Sequence, residues 1–239
     1  MMRKVLAIAK REIAFYFYGT SAWMFAGIMI LLSSWLYLDS LFIGGQINLY
    51  SFWSILILIF SVFIPAISMN LIAEERRKGA WENLVSAPIS ERDLVLGKYL
   101  GALSYISYSL LLTLPLLLIL NKLGGLEWGI VISSLLGIFL MAASYLALGL
   151  LASSMTRSGI VAFLISMSLL LVNNLSGEAF FLGKLPLWAK KIFSFISLFK
   201  RSESFFLGVI DIKDLIFFGS WISVFLILSV IVLKSKDRE

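Results

Sequence analysis

Uncharged, apolar stretches recur along the chain and set the first expectation about its structure. Six such stretches contain no Lys, Arg, Asp or Glu: 13–38, 40–73, 99–121, 128–156, 158–177 and 215–233. An α-helix rises about 1.5 Å per residue, so about 20 apolar residues cross the hydrocarbon core of a bilayer. Each stretch is close to that length or longer, and the pattern therefore predicts six transmembrane helices.

The apolar stretches are continuous, which favours helices over a β-barrel whose strands alternate apolar and polar residues. Composition agrees, because 60% of the residues are hydrophobic, 14% are charged and the mean hydropathy is +0.98. We therefore expect an all-α integral membrane protein. Its basic start, residues 1–20, is expected to be a retained amphipathic helix in the membrane interface. A cleaved signal is disfavoured because Lys10, Arg11 and Glu12 interrupt the apolar core.

Lysine and arginine are distributed unevenly between the two sides that six spans would define. With the N-terminus inside, thirteen of the 20 basic residues fall on the cytoplasmic side. Cytoplasmic loops are enriched in Lys and Arg, so both termini are predicted to be cytoplasmic. The outer segment 178–214 combines six of the remaining basic residues with apolar Phe195 and Phe199. We expect an amphipathic helix there, in the outer membrane interface.

The most charged part of the chain lies between the second and third predicted spans. Residues 72–98 read IAEERRKGAWENLVSAPISERDLVLGK. Gly79 and Pro88 interrupt the helical pattern, and Ser90 with Asp93 three residues later is typical of a helix start. The cytoplasmic segment 74–98 is thus predicted to form a helix, a turn and a second helix. Its mixed charge suits a protein partner, and the simpler alternative is a basic loop that only fixes topology.

Two residue types that carry much enzyme chemistry are absent, since the chain has no Cys and no His. Thiol nucleophiles, imidazole bases and metal sites built from these residues are excluded. Gly97-Lys98 and Gly183-Lys184 are not followed by Ser or Thr and lack the upstream glycine of a phosphate-binding P-loop. We expect a chain that binds no ATP, metal or other cofactor itself and is not an enzyme.

The charged segment and the span before it resemble a known family. Residues 63–103, FIPAISMNLIAEERRKGAWENLVSAPISERDLVLGKYLGAL, are similar to the signature of type-2 ABC transporter permeases, close to the gliding-motility and copper-site-maturation branch. The matching positions are Pro65, Met69, Glu74, Glu75, Arg76, Gly79, Glu82, Leu84, Pro88, Gly97 and Lys98. The stretches AKREIAFYFYGTSAWMF and LALGLLASSMTRSGIVAFLISMSLL resemble the family's first helix and its join of the fourth and fifth spans.

This resemblance implies a membrane subunit with six spans that pairs with a second copy of itself or a close paralogue. It also implies that two copies of a separate ATPase subunit, which bind ATP and Mg²⁺, dock on segment 74–98. The chain would export an unknown substrate across the plasma (inner) membrane of a prokaryote, with no nucleic acid involved. The residues expected to contact the ATPase, here called the coupling set, are Glu74, Glu75, Arg76, Gly79, Glu82, Pro88, Gly97 and Lys98.

A short run of polar residues lies in the fifth predicted span. Asn173 and Asn174 lie near the outer end of the fifth span, where they either pack against other helices or line a substrate path. Gly149 and Ser153, four residues apart, predict close helix packing in the fourth span. No acidic or basic residue lies in the middle of a span, which disfavours an ion-coupled secondary transporter. A membrane scaffold that recruits an ATPase without transport remains an alternative to export.

Overall fold

A computed structural model describes residues 2–44, 47–77, 79, 90–177 and 187–236. Within these ranges the chain is helical and contains no β-strand, as the sequence predicts. The helices, numbered in chain order, are α1 Met2–Tyr18, α2 Thr20–Gly44, α3 Leu49–Ser68, α4 Ala73–Arg77, α5 Glu91–Leu111, α6 Leu114–Gly124, α7 Trp128–Met155, α8 Gly159–Leu175, α9 Leu187–Ile196, α10 Leu198–Phe206 and α11 Ile212–Lys236.

Four helical stretches in the described chain are long and apolar enough to cross a membrane: Leu49–Arg77, Glu91–Gly124, Trp128–Met155 and Ile212–Ser235. Helices α1 and α2 give a fifth if they are taken as one bent span. Helix α8 is apolar but only 17 residues long, about 25 Å against a hydrocarbon core of about 30 Å. These helices are those of a multi-pass membrane protein, and the count of six spans stays a prediction.

The first predicted span, 13–38, differs from the helices observed. It runs through Gly19, where α1 ends and α2 begins, and the two helices are bent by 68°. The end of α1 is apolar and aromatic, with Phe15 and Tyr16 among its last residues. An uncharged run therefore does not distinguish the last turns of an amphipathic helix from the span that follows.

The second predicted span, 40–73, also begins too early. Its first residues belong to α2, and the next helix begins at Leu49. The side-chain oxygen of Asn48 accepts hydrogen bonds there from the backbone N–H groups of Tyr50 and Ser51, at 3.0 and 3.4 Å. Asn is a favourable N-cap and carries no charge, so a pattern based on charge passes over this helix start.

Helix α7 lies at the centre of the bundle. Inside the bundle 72% of its apolar stretch is buried, and it packs against α3, α5, α8, α10 and α11. A Cβ on Gly149 would lie 2.2 Å from Oγ of Ser68 on α3, and a Cβ on Gly137 would lie 2.6 Å from Cβ of Phe205 on α10. Larger side chains do not fit at these contacts, which confirms the close packing predicted at Gly149.

The described part of the outer segment, 187–214, contains two helices, α9 and α10, before α11 begins. Ser197 separates these two and caps α10, because its Oγ accepts a hydrogen bond from the backbone N–H of Lys200 at 3.3 Å. Leu198 and Phe205 are fully buried. Oγ of Ser133 on α7 donates to the carbonyl of Phe205 at 2.8 Å. Helix α10 is therefore packed into the bundle, in contrast to the single amphipathic helix expected from the sequence.

Candidate functional site

Helix α4 follows α3 and is held by the last turn of α7. Oγ of Ser153 accepts hydrogen bonds from the backbone N–H groups of Ile72 and Ala73, at 3.2 and 3.0 Å. The first N–H groups of a helix lack partners within it, so Ser153 acts as a cap supplied by a different helix. Nη1 of Arg76 donates to the carbonyl of Ser154 at 3.1 Å. Helix α4 and the end of α7 thus form one hydrogen-bonded unit.

Four charged residues from α1, α4 and α5 meet at this end of the bundle. Nζ of Lys98 lies 3.0 Å from Oε1 of Glu12 and 2.7 Å from Oε2 of Glu75. Nη2 of Arg11 lies 3.0 Å from Oε1 of Glu12 and 2.9 Å from Oε1 of Glu75. Each cation therefore contacts both carboxylates, and each carboxylate contacts both cations. We call Arg11, Glu12, Glu75 and Lys98 the ionic ring.

Burial within the ionic ring is greatest at Lys98. Its side chain is 0% exposed, against 8% for Glu12, 22% for Glu75 and 50% for Arg11. A charge is costly to remove from water unless it is paired and hydrogen-bonded. The ring is electrically neutral as a whole, so its members stabilise one another in this buried position. Loss of one partner from a buried pair typically costs about 3–5 kcal/mol, because the remaining charge is left uncompensated.

Two glycines bring α1 close enough to α5 for the ring to form. A Cβ on Gly97 would lie 3.1 Å from the carbonyl oxygen of Val5. A Cβ on Gly101 would lie 2.4 Å from Cβ of Glu12 and 3.2 Å from the carbonyl oxygen of Ala9. The obstacle to a larger residue therefore includes the backbone of α1. Gly97 and Gly101 are four residues apart, the small-xxx-small spacing that lets membrane helices approach closely.

Aromatic residues extend the contact of α5 in both directions. The ring of Tyr16 on α1 stacks on Tyr105, with centroids 4.9 Å apart and planes inclined by 12°. The hydroxyl of Tyr99 donates to the carbonyl of Ala143 on α7 at 3.1 Å. Helix α5 therefore packs on α1 along several turns and is also hydrogen-bonded to the central helix.

The structure describes six of the eight residues of the coupling set. Glu82 and Pro88 lie outside the described residues. Gly79 has a φ of +71°, a conformation that favours glycine, and it follows the end of α4 as the sequence predicts. Ser90 begins α5 as predicted, since its Oγ accepts a hydrogen bond from the backbone N–H of Asp93 at 3.2 Å.

The described members of the coupling set divide into exposed and internal residues. The carboxylate of Glu74, whose side chain is 21% exposed, pairs at 2.6 Å with Nη2 of Arg77, whose side chain is 63% exposed. Lys98 is enclosed by the chain itself, and Gly97 is covered by α1. In this arrangement neither Lys98 nor Gly97 reaches the surface, and both connect helices within the subunit.

Sequence reasoning did not find the residues of α1 that complete the ring. Glu12 lies on the buried face of α1, seven residues after Val5 and three after Ala9. A carboxylate at a position where helical periodicity requires an apolar residue is the signal that marks it. Gly101, four residues after Gly97, is a second signal of the same contact. The cap from Ser153 has no local signal, because it joins distant parts of the chain.

The two asparagines of the predicted substrate path have different surroundings. Asn173 bridges the break between α9 and α10: its Nδ2 donates to the carbonyl of Ile196 and its Oδ1 accepts from the N–H of Leu198, both at 3.1 Å. Oδ1 of Asn174 accepts from the hydroxyl of Tyr145. Asn174 also lines a cavity of about 480 Å³ between α3, α8 and α10. Of the two, Asn174 is placed where a ligand has space.

Apolar helices of membrane-spanning length pack around the ionic ring, and this arrangement defines a multi-pass helical membrane protein. The chain matches the family model described as ABC-2 family transporter protein over residues 43–233, and it belongs to this family. The resemblance to type-2 ABC permeases is thereby confirmed, and the chain is a permease component of an ABC transporter. Members of this family are membrane subunits that partner an ABC ATPase, which fits the expectation of a chain that is not itself an enzyme. No curated protein matches the chain.

Proposed function

We propose that the chain is the permease subunit of an ATP-driven exporter and that the ionic ring transmits the movement of a docked ATPase to the membrane helices. The position of the ring carries this proposal. Segment 78–89 joins α4 to α5, and the ring links Glu75 on α4 to Lys98 on α5. Both sides of the segment are therefore tied to one cluster of charges. A force applied to the segment acts on α1, α4 and α5 together.

The route from the ring into the bundle follows two contacts with α7. Helix α4 is hydrogen-bonded to α7 through Ser153 and Arg76, and α5 is hydrogen-bonded to it through Tyr99. A ligand-driven switch requires two arrangements of packed elements that the ligand biases differently. Here ATP and Mg²⁺ would bind to the ATPase, and this chain would respond by moving α1, α4 and α5 against α7.

The family and the helices support a proposal for the finer architecture. We infer six spans, with α8 and the α1–α2 pair adding two to the four long stretches, and with both termini in the cytoplasm. The complex would contain a second copy of this chain or a close paralogue and two ATPase subunits, in the plasma (inner) membrane of a prokaryote. The pattern from Glu74 to Lys98 supports the gliding-motility and copper-site-maturation branch of the family.

The cavity beside Asn174 is the candidate start of a substrate route. Within the described part of the chain, Nδ2 of Asn174 is buried and has no hydrogen-bond partner. A buried donor without a partner is costly, and a ligand or a water molecule in the cavity would satisfy it. Asn173 has a role in the fold already, so we assign the route to Asn174 and to the apolar walls around it.

The experiment that tests the proposed function is purification of the tagged chain from its native membrane, followed by reconstitution into vesicles. We expect a P-loop ATPase in near one-to-one amount and ATP-dependent movement of a substrate drawn from drugs, lipids, glycans and peptides. ATPase activity without movement of any of them would favour the scaffold. Recovery of the folded chain without an ATPase would contradict the proposal.

A further inference from the structure

A groove runs between the start of α5 and the end of α11. It consists of two adjoining cavities of about 490 and 470 Å³ that share Arg92, Val230 and Ile231. The apolar walls of the first are completed by Val95, Leu96, Leu226 and Ile227. The second opens among Ser90, Glu91 and Lys234. The groove thus has apolar walls along its length and polar groups at one mouth. This arrangement matches a ligand with an apolar tail and a polar head.

The mouth of the groove has an excess of positive charge. Arg92 and Lys234 line it against one carboxylate, Glu91. Within the described part of the chain, neither Arg92 nor Lys234 forms an ion pair, and both are exposed. The mouth therefore offers two cationic donors to an anion.

The helices that form the groove are both candidate membrane spans, Glu91–Gly124 and Ile212–Ser235. Only 17% of the apolar stretch of α11 is buried within the chain, the smallest share among the four candidate spans of the described chain. Ile227 and Ile231 on its groove side remain more than half exposed. On this side of the groove α11 has no neighbour within the described residues, so the groove opens on the apolar surface that a membrane span presents to lipid.

We propose that this groove binds one anionic phospholipid, with the phosphate on Arg92 and Lys234 and an acyl chain against the apolar walls. Basic pockets between membrane helices bind anionic head groups in this way. A second copy of the chain is a poorer occupant, because a two-fold contact through this face would bring two positive mouths together. The bound lipid would brace α11 against α5. The site does not depend on ATP coupling.

Native mass spectrometry of the purified full chain in detergent, titrated with phosphatidylglycerol or phosphatidylcholine, tests the proposal. We expect one phosphatidylglycerol to be retained and phosphatidylcholine to be bound much more weakly. The double variant Arg92→Gln/Lys234→Gln should weaken retention about 25-fold, since each basic residue near an anionic head group contributes roughly fivefold. The matched control Lys10→Gln/Arg157→Gln removes two exposed charges outside the groove and should leave retention unchanged.

A second variant tests the groove independently, in case the double variant does not fold. Val230→Trp fills the groove while both charges remain, and it should also abolish retention of the lipid. The proposal would be overturned if both lipids bound equally, or if the double variant and its control retained the lipid equally. It would also be overturned if the groove variants lost a second copy of the chain and not a lipid from the mass spectrum. Displacement of phosphatidylglycerol by an equimolar amount of inorganic phosphate would overturn it too, because the apolar walls would then contribute nothing.

Discussion

At one end of the bundle Lys98 joins α1, α4 and α5 by charge, whereas at the other end Asn173 joins α8 to α9 and α10 by neutral hydrogen bonds. In the ionic ring every cation has two carboxylates within 3.0 Å. At Asn173 the amide donor and acceptor each have one backbone partner at 3.1 Å. One contact of the ring can lengthen while the second keeps the charge paired. Each amide group of Asn173 has only one partner, so its hydrogen bonds hold a single geometry.

This difference matches the roles proposed for the two ends. A joint that transmits movement needs strong coupling that survives a change of distance, and buried ion pairs supply it because their attraction falls off gradually. A break between two short helices needs a defined angle, and directional hydrogen bonds supply that. The four predictions that follow test this contrast.

The largest expected effect is that of Lys98→Met in the ionic ring. The substitution leaves Glu12 and Glu75 as two carboxylates with only Arg11 between them, in a largely buried site. We expect the free energy of unfolding to fall by about 3–5 kcal/mol. Thermal unfolding of the purified chain in mild detergent measures the change. An unchanged melting temperature would show that the ring does not hold α1 in place.

The second effect is that of Gly101→Leu, which tests the approach of α1 to α5. A side chain at this position meets the backbone of α1, so we expect a loss of about 1–3 kcal/mol from overpacking. The same substitution at Gly219 on α11 is the control, because a Cβ there meets nothing within 4 Å. Equal melting temperatures for the two variants, measured by the same thermal unfolding, would contradict close packing of α1.

The third effect is that of Asn173→Leu at the opposite end. The backbone groups of Ile196 and Leu198 lose their partners, and we expect a loss of about 1–2 kcal/mol. Asn173→Asp keeps the acceptor for Leu198, but it buries an unpaired carboxylate against the carbonyl of Ile196 and should lose at least as much. In contrast to the ring variants, stimulation of the bound ATPase should persist in any folded sample. Loss of stimulation with an intact fold would show that this end also takes part in coupling.

The smallest effect is that of Arg77→Gln, which removes the exposed ion pair with Glu74. Exposed pairs contribute about 0–1 kcal/mol and are screened by salt. We expect a melting temperature close to that of the unchanged chain, measured at low and high salt. A decrease as large as that of Lys98→Met would mean that exposure does not distinguish the two pairs.

The sequence is sufficient for those features that depend on neighbouring residues. The apolar runs predict the helices, Ser90 predicts the start of α5, and Gly79 predicts the stop after α4. The helix predicted over residues 1–20 ends beside the break at Gly19, but the predicted span 13–38 runs through it, and the start at Asn48 was missed because it involves no charge. These are errors of a pattern that recognises only charged boundaries.

The ionic ring was beyond prediction for a different reason. Glu12 and Lys98 are 86 residues apart and Arg11 and Glu75 are 64 apart. A single sequence contains no information on which distant charges meet, so Glu75 and Lys98 were expected at an outer surface. The same limit applies to Asn173, whose partners follow the intervening segment 178–186. The local signal in both cases is only a polar residue on the otherwise apolar, buried face of a helix.

The measurement that tests the ring most directly is ATPase stimulation by the double variant Glu12→Gln/Lys98→Met. The variant removes one negative and one positive charge together, so no buried charge is left unpaired and the fold should be retained. We predict a complex that still binds its ATPase in near one-to-one amount but no longer stimulates ATP hydrolysis. Full stimulation by this folded variant would contradict transmission through the ionic ring.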